Sequence, residues 1–363
     1  MPSNKKQNLF KRLWRKTLSD YVTASAGSLD GTWLAASSAA GEIVRYEVQT
    51  GKATVLQAAQ GESIDVLAIS AEGEFLAAGG QAGTVWIWRL ENDASTLLKT
   101  LEHPRTWIDC LRWNPQCPEL AFSLGRHVQV WDAMTQGVIT TLNFESSSVL
   151  DIAWHPRGDL LSVSGNQIIK TWQRQDWDDD PTVLETGAAS EAIAWSPEGT
   201  YFAAGNSDRS LLVWKEGNPR SWRMQDFPGK VQQLSWSMPT ENNAASNAVL
   251  GAPLLASASS ASIIVWTKDN NPAVGWNPRL LDAHRGKVSA IAFQPNSRLL
   301  ASAAEDGYLC LWNKGSHLTQ TLKDAPAELS CLVWNHSGDA IAAGDNQGNV
   351  LTWTKTMAGK GFG

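Results

Sequence analysis

Charged residues are scarce in this sequence, and their scarcity already limits the class of protein. They make up 18% of the 363 residues, whereas hydrophobic residues make up 43%. This balance predicts a folded, globular chain and excludes a disordered one. The net charge of −6 argues against a nucleic-acid-binding body, because contacts to a phosphate backbone require a basic face. We therefore expect no nucleic-acid partner.

Cysteines and long apolar runs are also scarce. Cys110, Cys117, Cys310 and Cys331 have neither CxxC spacing nor the density of a disulfide-stapled secreted domain, so we expect reduced core thiols. No apolar run approaches the roughly 18 residues of a membrane span. The first residues, MPSNKKQNLFKRLWRKTL, lack the continuous apolar segment of a secretory signal. These absences predict a soluble, cytoplasmic protein.

Catalytic and cofactor-binding motifs are missing too. There is no GxxxxGKS phosphate loop, and GGQAG at 79–83 is better explained as a hairpin turn. No pair of carboxylates is identifiable as a glycosidase site. The histidines show no HExxH or other metal-ligand spacing; they are His103, His127, His155, His284, His317 and His336. We predict no metal, no cofactor and no enzymatic activity.

Tryptophan, in contrast, is abundant, with nineteen residues, and its placement is periodic. Eight short β-rich runs, such as VWIWRL, VQVWDA and LCLWNK, each contain an aromatic anchor residue close to their end. Successive anchors are separated by 41 to 52 residues, a period that suits a four-stranded propeller blade. The anchors are Tyr46, Trp88, Trp131, Trp172, Trp214, Trp266, Trp312 and Trp353.

These units resemble WD repeats over roughly residues 9 to 355. The unit AHRGKVSAIAFQPNSRLLASAAEDGYLCLWN matches best, and the resemblance implies that His284, Ser302, Asp306 and Trp312 form the structural hydrogen-bond tetrad of the family. The predicted fold is an all-β, eight-bladed β-propeller of four-stranded antiparallel blades, with seven blades as the alternative. The Ser, His and Asp would brace a blade rather than act as a catalytic triad.

Other units depart from the family pattern. His103 stands at the tetrad spacing before Trp131, and Asp208 precedes Trp214, but neither tetrad is complete. We expect packing to compensate, since five tryptophans recur at the ends of the inner strands and each buries a large apolar area. These are Trp113, Trp154, Trp195, Trp236 and Trp334.

The N-terminal segment has two readings. Residues 1–20 can supply the outer strand that the last blade lacks, which would close the ring formed by residues 21–355 and leave 356–363 as a flexible tail. Alternatively, residues 5–18 form an amphipathic helix for peripheral membrane contact. Its apolar face would comprise Leu9, Phe10, Leu13, Trp14 and Leu18, and its basic face Lys11, Arg12, Arg15 and Lys16.

Two sets of loop residues are candidate partner-binding sites. By the register of the family, one set surrounds the narrow end of the propeller and is cationic, which predicts an acidic peptide or protein partner. It comprises Arg105, Trp107, Arg126, His127, Arg209, Lys230 and Lys287. At the opposite end, Trp177 and Trp276 lie in polar loops and are predicted to form an exposed contact patch.

The function predicted from these features is a non-catalytic scaffold for an unidentified protein, with a monomeric propeller working inside a larger complex. A membrane-peripheral assembly factor, anchored by the basic N-terminal segment, is the alternative. A quinone-cofactor dehydrogenase is a weak third reading, because such enzymes also have tryptophan-rich blades and turns like Thr50-Gly51-Lys52.

Overall fold

The structure is a computed structural model that describes residues 8–91, 95–239, 249 and 251–356. Every regular element within these ranges is a β-strand. In chain order the strands are β1 Phe10–Thr17, β2 Val22–Gly27, β3 Trp33–Ser38, β4 Ile43–Glu47, β5 Ala53–Gln57, β6 Ile64–Ile69, β7 Phe75–Gly80, β8 Thr84–Leu90, β9 Ser95–Glu102, β10 Leu111–Trp113, β11 Glu119–Leu124, β12 His127–Asp132, β13 Gly137–Asn143, β14 Asp151–Trp154, β15 Leu160–Ser164, β16 Ile168–Gln173, β17 Thr182–Glu185, β18 Ser190–Trp195, β19 Tyr201–Asn206, β20 Leu211–Lys215, β21 Ser221–Met224, β22 Gln233–Trp236, β23 Leu255–Ser259, β24 Ser262–Lys268, β25 Trp276–Leu281, β26 Val288–Phe293, β27 Leu300–Ala304, β28 Leu309–Asn313, β29 His317–Leu322, β30 Leu329–Trp334, β31 Ala340–Asp345 and β32 Asn349–Lys355.

The strands form eight four-stranded antiparallel sheets, which are the blades of one propeller. Blades 1 to 7 are the consecutive meanders β2–β5, β6–β9, β10–β13, β14–β17, β18–β21, β22–β25 and β26–β29. The first strand of each blade contacts the first strands of both neighbouring blades, so these inner strands form a closed ring. The prediction of eight four-stranded blades is confirmed.

Blade 8 combines the two ends of the described chain. Its sheet has the order β1-β32-β31-β30, and β1 pairs antiparallel with β32 from Phe10 opposite Lys355 to Thr17 opposite Asn349. The pairing covers an edge of β32 that would otherwise be open for association with another chain. The predicted ring closure by an N-terminal strand is confirmed.

The alternative reading of this segment as an amphipathic helix is wrong. Phe10 is 1% exposed and meets the ring of Trp334 edge-on. The Trp14 indole donates to the carbonyl of Val48 at 2.7 Å and lies against Tyr46. A strand can place these apolar side chains inside the propeller while its basic residues stay outside, so the apolar surface that a membrane contact would need is already used.

Inner-strand tryptophans link neighbouring blades by hydrogen bonds as well as by packing. Four indoles each donate to an inner-strand carbonyl of the preceding blade at 3.1 to 3.2 Å. Each bond contributes about 1 kcal/mol net, because it leaves no buried donor unpaired. The pairs are Trp113 with Ala68, Trp154 with Arg112, Trp236 with Ala194, and Trp334 with Ala292. Trp195 is the exception and donates to the Ser162 hydroxyl at 3.2 Å.

The predicted boundaries 1–20, 21–355 and 356–363 remain predictions, and residues 1–7 and 357–363 lie outside the described part of the chain. Within that part, no helix has the length and hydropathy needed to cross a bilayer.

Candidate functional site

The seven predicted partner-binding residues of the narrow end all emerge at one end of the ring. They lie in, or directly after, loops that enter an inner strand or join the second and third strands of a blade. Because strand direction alternates in a meander, these two loop types share one end, and we call it the narrow end. All seven side chains are exposed.

Trp107 is the distinctive member of this set. Its side chain is 59% exposed, whereas the other eighteen tryptophans are buried or partly buried. It lies between β9 and β10, next to the fully buried Ile108. An exposed indole leaves a large apolar surface in contact with water, which is unfavourable unless a partner covers it. Tryptophan is also enriched among the interface residues that contribute most of the binding free energy.

The backbone on both sides of Trp107 is fixed to blade 2. The His103 amide donates to the Gly83 carbonyl at 2.7 Å, and the Ile108 amide donates to the Gly80 carbonyl at 3.0 Å. Gly83 has a φ of +68°, and a Cβ at that position would collide with the His103 carbonyl oxygen. The loop therefore needs glycine at this position, and it presents Trp107 from an anchored backbone.

The charge of the narrow end differs from the prediction. Its sixteen loops carry seven Lys and Arg residues but twelve Asp and Glu residues. Lys230, one of the predicted cations, is paired with Glu191 at 2.6 Å. The predicted cationic ring is wrong because it was assembled from the basic positions alone, and the surrounding carboxylates reverse the net sign.

A cavity of about 390 Å³ opens at the centre of this end. Lys287 lies on its wall, where Glu191, Glu305 and Glu328 also line it. Lys287, one of the predicted cations, therefore shares the cavity with three carboxylates. An acidic peptide would meet like charge here, which costs free energy.

Carboxylates also neighbour Trp107 along the chain. Partial burial, followed by the nearby Asp65 carboxylate, raises the pKa of Asp109. Asp65 itself accepts a hydrogen bond from the Ser63 hydroxyl. The Trp107 loop therefore runs directly into Asp109, whose ionisation is disfavoured by partial burial and by the neighbouring Asp65.

The four predicted tetrad residues lie in one hydrogen-bonded chain in blade 7. The His284 Nε2 is 2.7 Å from the Ser302 hydroxyl, and its Nδ1 is 3.1 Å from an Asp306 carboxylate oxygen. The Trp312 indole donates to the same Ser302 oxygen at 2.9 Å. Burial lowers the pKa of His284, with Asp306 opposing this shift. The imidazole joins buried groups on two strands and two loops, which is a brace.

Three segments of the chain match the family model described as "WD domain, G-beta repeat": residues 137–173, 187–215 and 276–313. Together with the eight blades and the tetrad, these matches confirm the predicted resemblance to WD repeats. The chain is a β-propeller that carries WD repeats. The matched segments contain the outer strands of blades 3 and 6 and the first three strands of blades 4, 5 and 7, with the tetrad of blade 7.

Curated relatives of this WD-repeat propeller are moderately similar. The WD repeat-containing protein slp1 of Schizosaccharomyces pombe is 26% identical over 262 residues, which cover 70% of this chain and 50% of slp1. The transcriptional corepressor LEUNIG_HOMOLOG of Arabidopsis thaliana is 22% identical, covering 78% of this chain and 34% of its own. The THO complex subunit 3 of Arabidopsis thaliana is 22% identical, with coverage of 65% and 72%.

This WD-repeat chain spans half or less of the length of the first two relatives. The relatives are named as a corepressor, a subunit of a complex and a WD repeat-containing protein. Such names describe regulatory and scaffold-type proteins, and an interaction scaffold is consistent with them.

Blade 3 of the WD-repeat propeller has an incomplete tetrad with a specific cause. Leu120 lies opposite the anchor Trp131 and Leu300 lies opposite the anchor Trp312. Two residues further along each strand are Phe122 and Ser302, so in blade 3 a ring replaces the hydroxyl. The His103 imidazole lies 5.5 Å from the Phe122 ring, and its buried Nε2 has no hydrogen-bond partner among the described residues. Burial lowers the pKa of His103. The sequence itself indicates the incomplete tetrad, since Phe122 stands at the position that Ser302 occupies in blade 7.

The predicted contact patch at the opposite end is not supported by the positions of its two residues. Trp276 is 4% exposed and packs with Tyr201, Trp222 and Trp236, so the prediction that it is exposed is wrong. Trp177 is partly buried and meets Trp154 edge-on in blade 4. The two indoles belong to different core clusters.

A buried lysine explains why Trp276 points inward. The Lys268 ammonium donates to the carbonyls of Asp269 and Gly275 at 2.9 and 3.0 Å, and it lies 4.5 Å from the centre of the Trp222 ring. Burial lowers the pKa of Lys268. By holding both ends of the loop before β25, Lys268 fixes the start of that strand with Trp276 facing the core.

Metal-ligating side chains are dispersed in the described ranges, where no group of three or more His, Cys, Asp or Glu could hold an ion. The four cysteines are free thiols, and Cys110 and Cys310 are buried. Burial raises the pKa of Cys310 to about 11 and that of Cys117 to about 11. Thiols with raised pKa values are poor nucleophiles at neutral pH.

Proposed function

We propose that this WD-repeat propeller is a non-catalytic scaffold that binds a partner protein through the narrow-end loops, with Trp107 as the principal anchor. The observation that carries the proposal is the exposure of Trp107, 59% of its side chain, in a protein that packs every other indole at least partly inside. Exposed aromatic anchors on fixed loops are typical of interface residues that contribute most of the binding free energy.

The anchored backbone supports this role. Because the amides of His103 and Ile108 are already bonded to blade 2, the loop loses little conformational freedom when a partner binds. Arg105, which has a φ of +69°, lies inside the same fixed turn. Because the loop is already ordered, little of the free energy gained by burying the Trp107 ring is lost in fixing the loop on binding.

The partner we propose has a basic contact surface. Carboxylates outnumber basic residues in the narrow-end loops by twelve to seven, and Asp109 follows Trp107 by two positions. A partner that places Lys or Arg near Asp109 and Asp65 gains attraction and relieves the repulsion between these two groups. This replaces the acidic partner expected from the sequence.

We further propose that the propeller works as a monomer within a larger complex in the cytoplasm. The relative named as a subunit of the THO complex supports the first part. Four free thiols support the second, because a reducing compartment maintains cysteines in this state.

Affinity capture from native lysate tests the proposal, with Trp107→Ala compared against wild type and Met134→Ala. Met134 is a matched control because it is 64% exposed and lies in the same blade, between β12 and β13, at the opposite end. We expect a protein that wild type and Met134→Ala capture equally and that Trp107→Ala loses by about tenfold or more. Equal capture by all three proteins would remove Trp107 from the proposal.

A further inference from the structure

A second candidate surface lies on the side of the ring, between blades 4 and 5. The cleft there has a volume of about 410 Å³, within the range of about 300–1,000 Å³ that binding clefts usually have. Its walls are mainly apolar and come from β15, β16 and β17 on one side and β18, β19 and β20 on the other. The apolar lining residues are Leu160, Val183, Leu184, Trp195, Phe202 and Trp214. We call it the blade 4–5 groove.

The groove lies where the bonding pattern between blades changes. Trp113, Trp154, Trp236 and Trp334 each reach an inner-strand carbonyl of the preceding blade, whereas Trp195 bonds to Ser162 on the second strand of blade 4. The Trp195 indole is therefore directed towards the second strand and away from the ring of inner strands. It is partly exposed and lines the groove.

The hydroxyl of Thr171 in the groove wall and that of the buried Ser162 behind it both have hydrogen-bond partners. The hydroxyls of Ser162 and Thr171 lie 2.9 Å apart and share a hydrogen bond, and Ser162 also accepts the Trp195 indole. Neither hydroxyl needs a bound water to satisfy it. An apolar side chain can enter over Thr171 and over the Phe202 ring without breaking the hydrogen bond between these two hydroxyls.

One wall of the groove is also an open sheet edge. β17 is the outermost strand of blade 4 and pairs only with β16, from Thr171 opposite Thr182 to Ile168 opposite Glu185. Its outer backbone groups can pair with an extended peptide, as in recognition by strand addition. Val183, in the middle of this strand, is 49% exposed.

Charge around the groove is unequal on its two sides. The loop that enters β17 carries Asp178, Asp179 and Asp180, all exposed, and none of them forms an ion pair with the described residues. The blade 5 wall has Lys215, together with Glu216, whose carboxylate pairs with Arg157 at 2.6 Å. Positive charge on a ligand is therefore favoured on the blade 4 side.

We propose that the blade 4–5 groove binds an extended segment of another protein that inserts one large apolar side chain beside Trp195. Its backbone runs along β17, and Lys or Arg residues next to the apolar side chain face Asp178, Asp179 and Asp180. The groove shares no residue with the Trp107 loop, so this binding is independent of the narrow-end function.

A display library of random ten-residue peptides, selected on the full chain, tests the proposal. Selections run in parallel on wild type, Val183→Arg and the matched control Val55→Arg. Val55 is 62% exposed on β5, the outer strand of blade 1, so the same change there alters charge without touching the groove. We expect wild type and Val55→Arg to enrich peptides with a large apolar residue next to Lys or Arg, and Val183→Arg to lose that enrichment.

Fluorescence anisotropy with the most enriched peptide then separates the contributions. We expect Val183→Arg to weaken binding at least tenfold, and the triple change Asp178→Asn, Asp179→Asn, Asp180→Asn to weaken it and reduce its dependence on salt. Trp107→Ala should bind this peptide as wild type does, so that failure of the narrow-end proposal and failure of this one give different results.

Three outcomes would overturn the proposal. The first is that no peptide is enriched on wild type, or that the enriched peptides lack either the apolar residue or the basic ones. The second is equal binding by wild type and Val183→Arg, with both folded by circular dichroism. The third is a wild-type dimer in light scattering that Val183→Arg dissociates, because the occupant would then be a second copy of this chain.

Discussion

The loops that enter blades 3 and 7 both contain a histidine at the same register position, but the two histidines have different surroundings. His284 bonds to Ser302 and Asp306 and braces blade 7. His103 faces Phe122, and its Nε2 has no partner among the described residues. Both entry loops are followed by a backbone hydrogen bond to the preceding blade, from Ile108 to Gly80 and from Val288 to Ser260. In blade 7 the histidine additionally joins the loop to its own blade.

This difference shows how a repeat can change role without changing fold. In blade 7 the loop between the second and third strands supplies Asp306, whereas in blade 3 that loop is only Gly125 and Arg126. A loop released from the tetrad has side chains available for another use, and Trp107 lies in such a loop. We infer that blade 7 contributes mainly to stability and blade 3 mainly to recognition.

The largest effect we predict is for His284→Ala, which should lower the free energy of unfolding by about 3 kcal/mol, because Ser302 and Asp306 lose a buried partner and a cavity forms. Urea unfolding followed by tryptophan fluorescence measures it. A loss below about 1 kcal/mol would contradict a bracing role and remove the contrast between the two blades.

The next prediction concerns pH. Burial lowers the pKa of His284 in the folded protein, so the native state resists protonation more than the unfolded state, in which the histidine pKa is about 6.5. The contribution to stability is complete above that value and is lost as the pH falls below it. Wild type should therefore lose more stability than His284→Ala between pH 7.5 and 5.5, as measured by urea unfolding. Parallel curves would argue against it.

A smaller effect is expected for His103→Leu. Its Nε2 forms no hydrogen bond to the described residues, so removal of the ring should change the free energy of unfolding by no more than about 1 kcal/mol. The comparison with His284→Ala under identical conditions is the measurement. If His103→Leu were as destabilising as His284→Ala, the two loops would be equivalent and the proposed division of roles would be lost.

The smallest effect on stability should come from Trp107→Ala. Because the indole is 59% exposed, its removal should alter the free energy of unfolding by less than about 0.5 kcal/mol. Thermal and urea unfolding of the variant used for affinity capture provide the check. A loss above about 1.5 kcal/mol would mean that the ring packs in solution and is not held out for a partner.

The blade count and the ring closure could be predicted because they depend on the spacing of the aromatic anchors and on the order of the strand-forming segments. Both can be seen directly in the sequence. The eight aromatic anchors gave the number of blades, and the lack of an outer strand after Trp353 indicated that an N-terminal strand closes the ring. The hydrogen bonds of Trp113 and its counterparts could not be predicted in this way, because a sequence does not specify which neighbouring carbonyl an indole reaches. The different bond of Trp195, and the groove beside it, were missed for the same reason.

The errors at the surface have separate physical causes. Residues 9–18 fit a helical period, but pairing with β32 satisfies the backbone, buries Phe10 and partly buries Trp14, which an isolated helix would not do. Trp276 was assigned to a polar loop because the buried ammonium of Lys268 could not be foreseen. The charge of the narrow end was misjudged because carboxylates on many separate loops meet only after folding.

The pairing of β1 with β32 also imposes an order on biosynthesis. Thr17 is synthesised before its partner Asn349, which lies 332 positions later in the chain. At about 5–20 residues per second, the strand must wait roughly 20–70 s for its place in the sheet. Blades 1 to 7 can form before β32 is synthesised, but the ring closes only when β32 becomes available to pair with β1. During that interval β1 lacks its sheet partner, and an unpaired strand of this kind is prone to association with other chains.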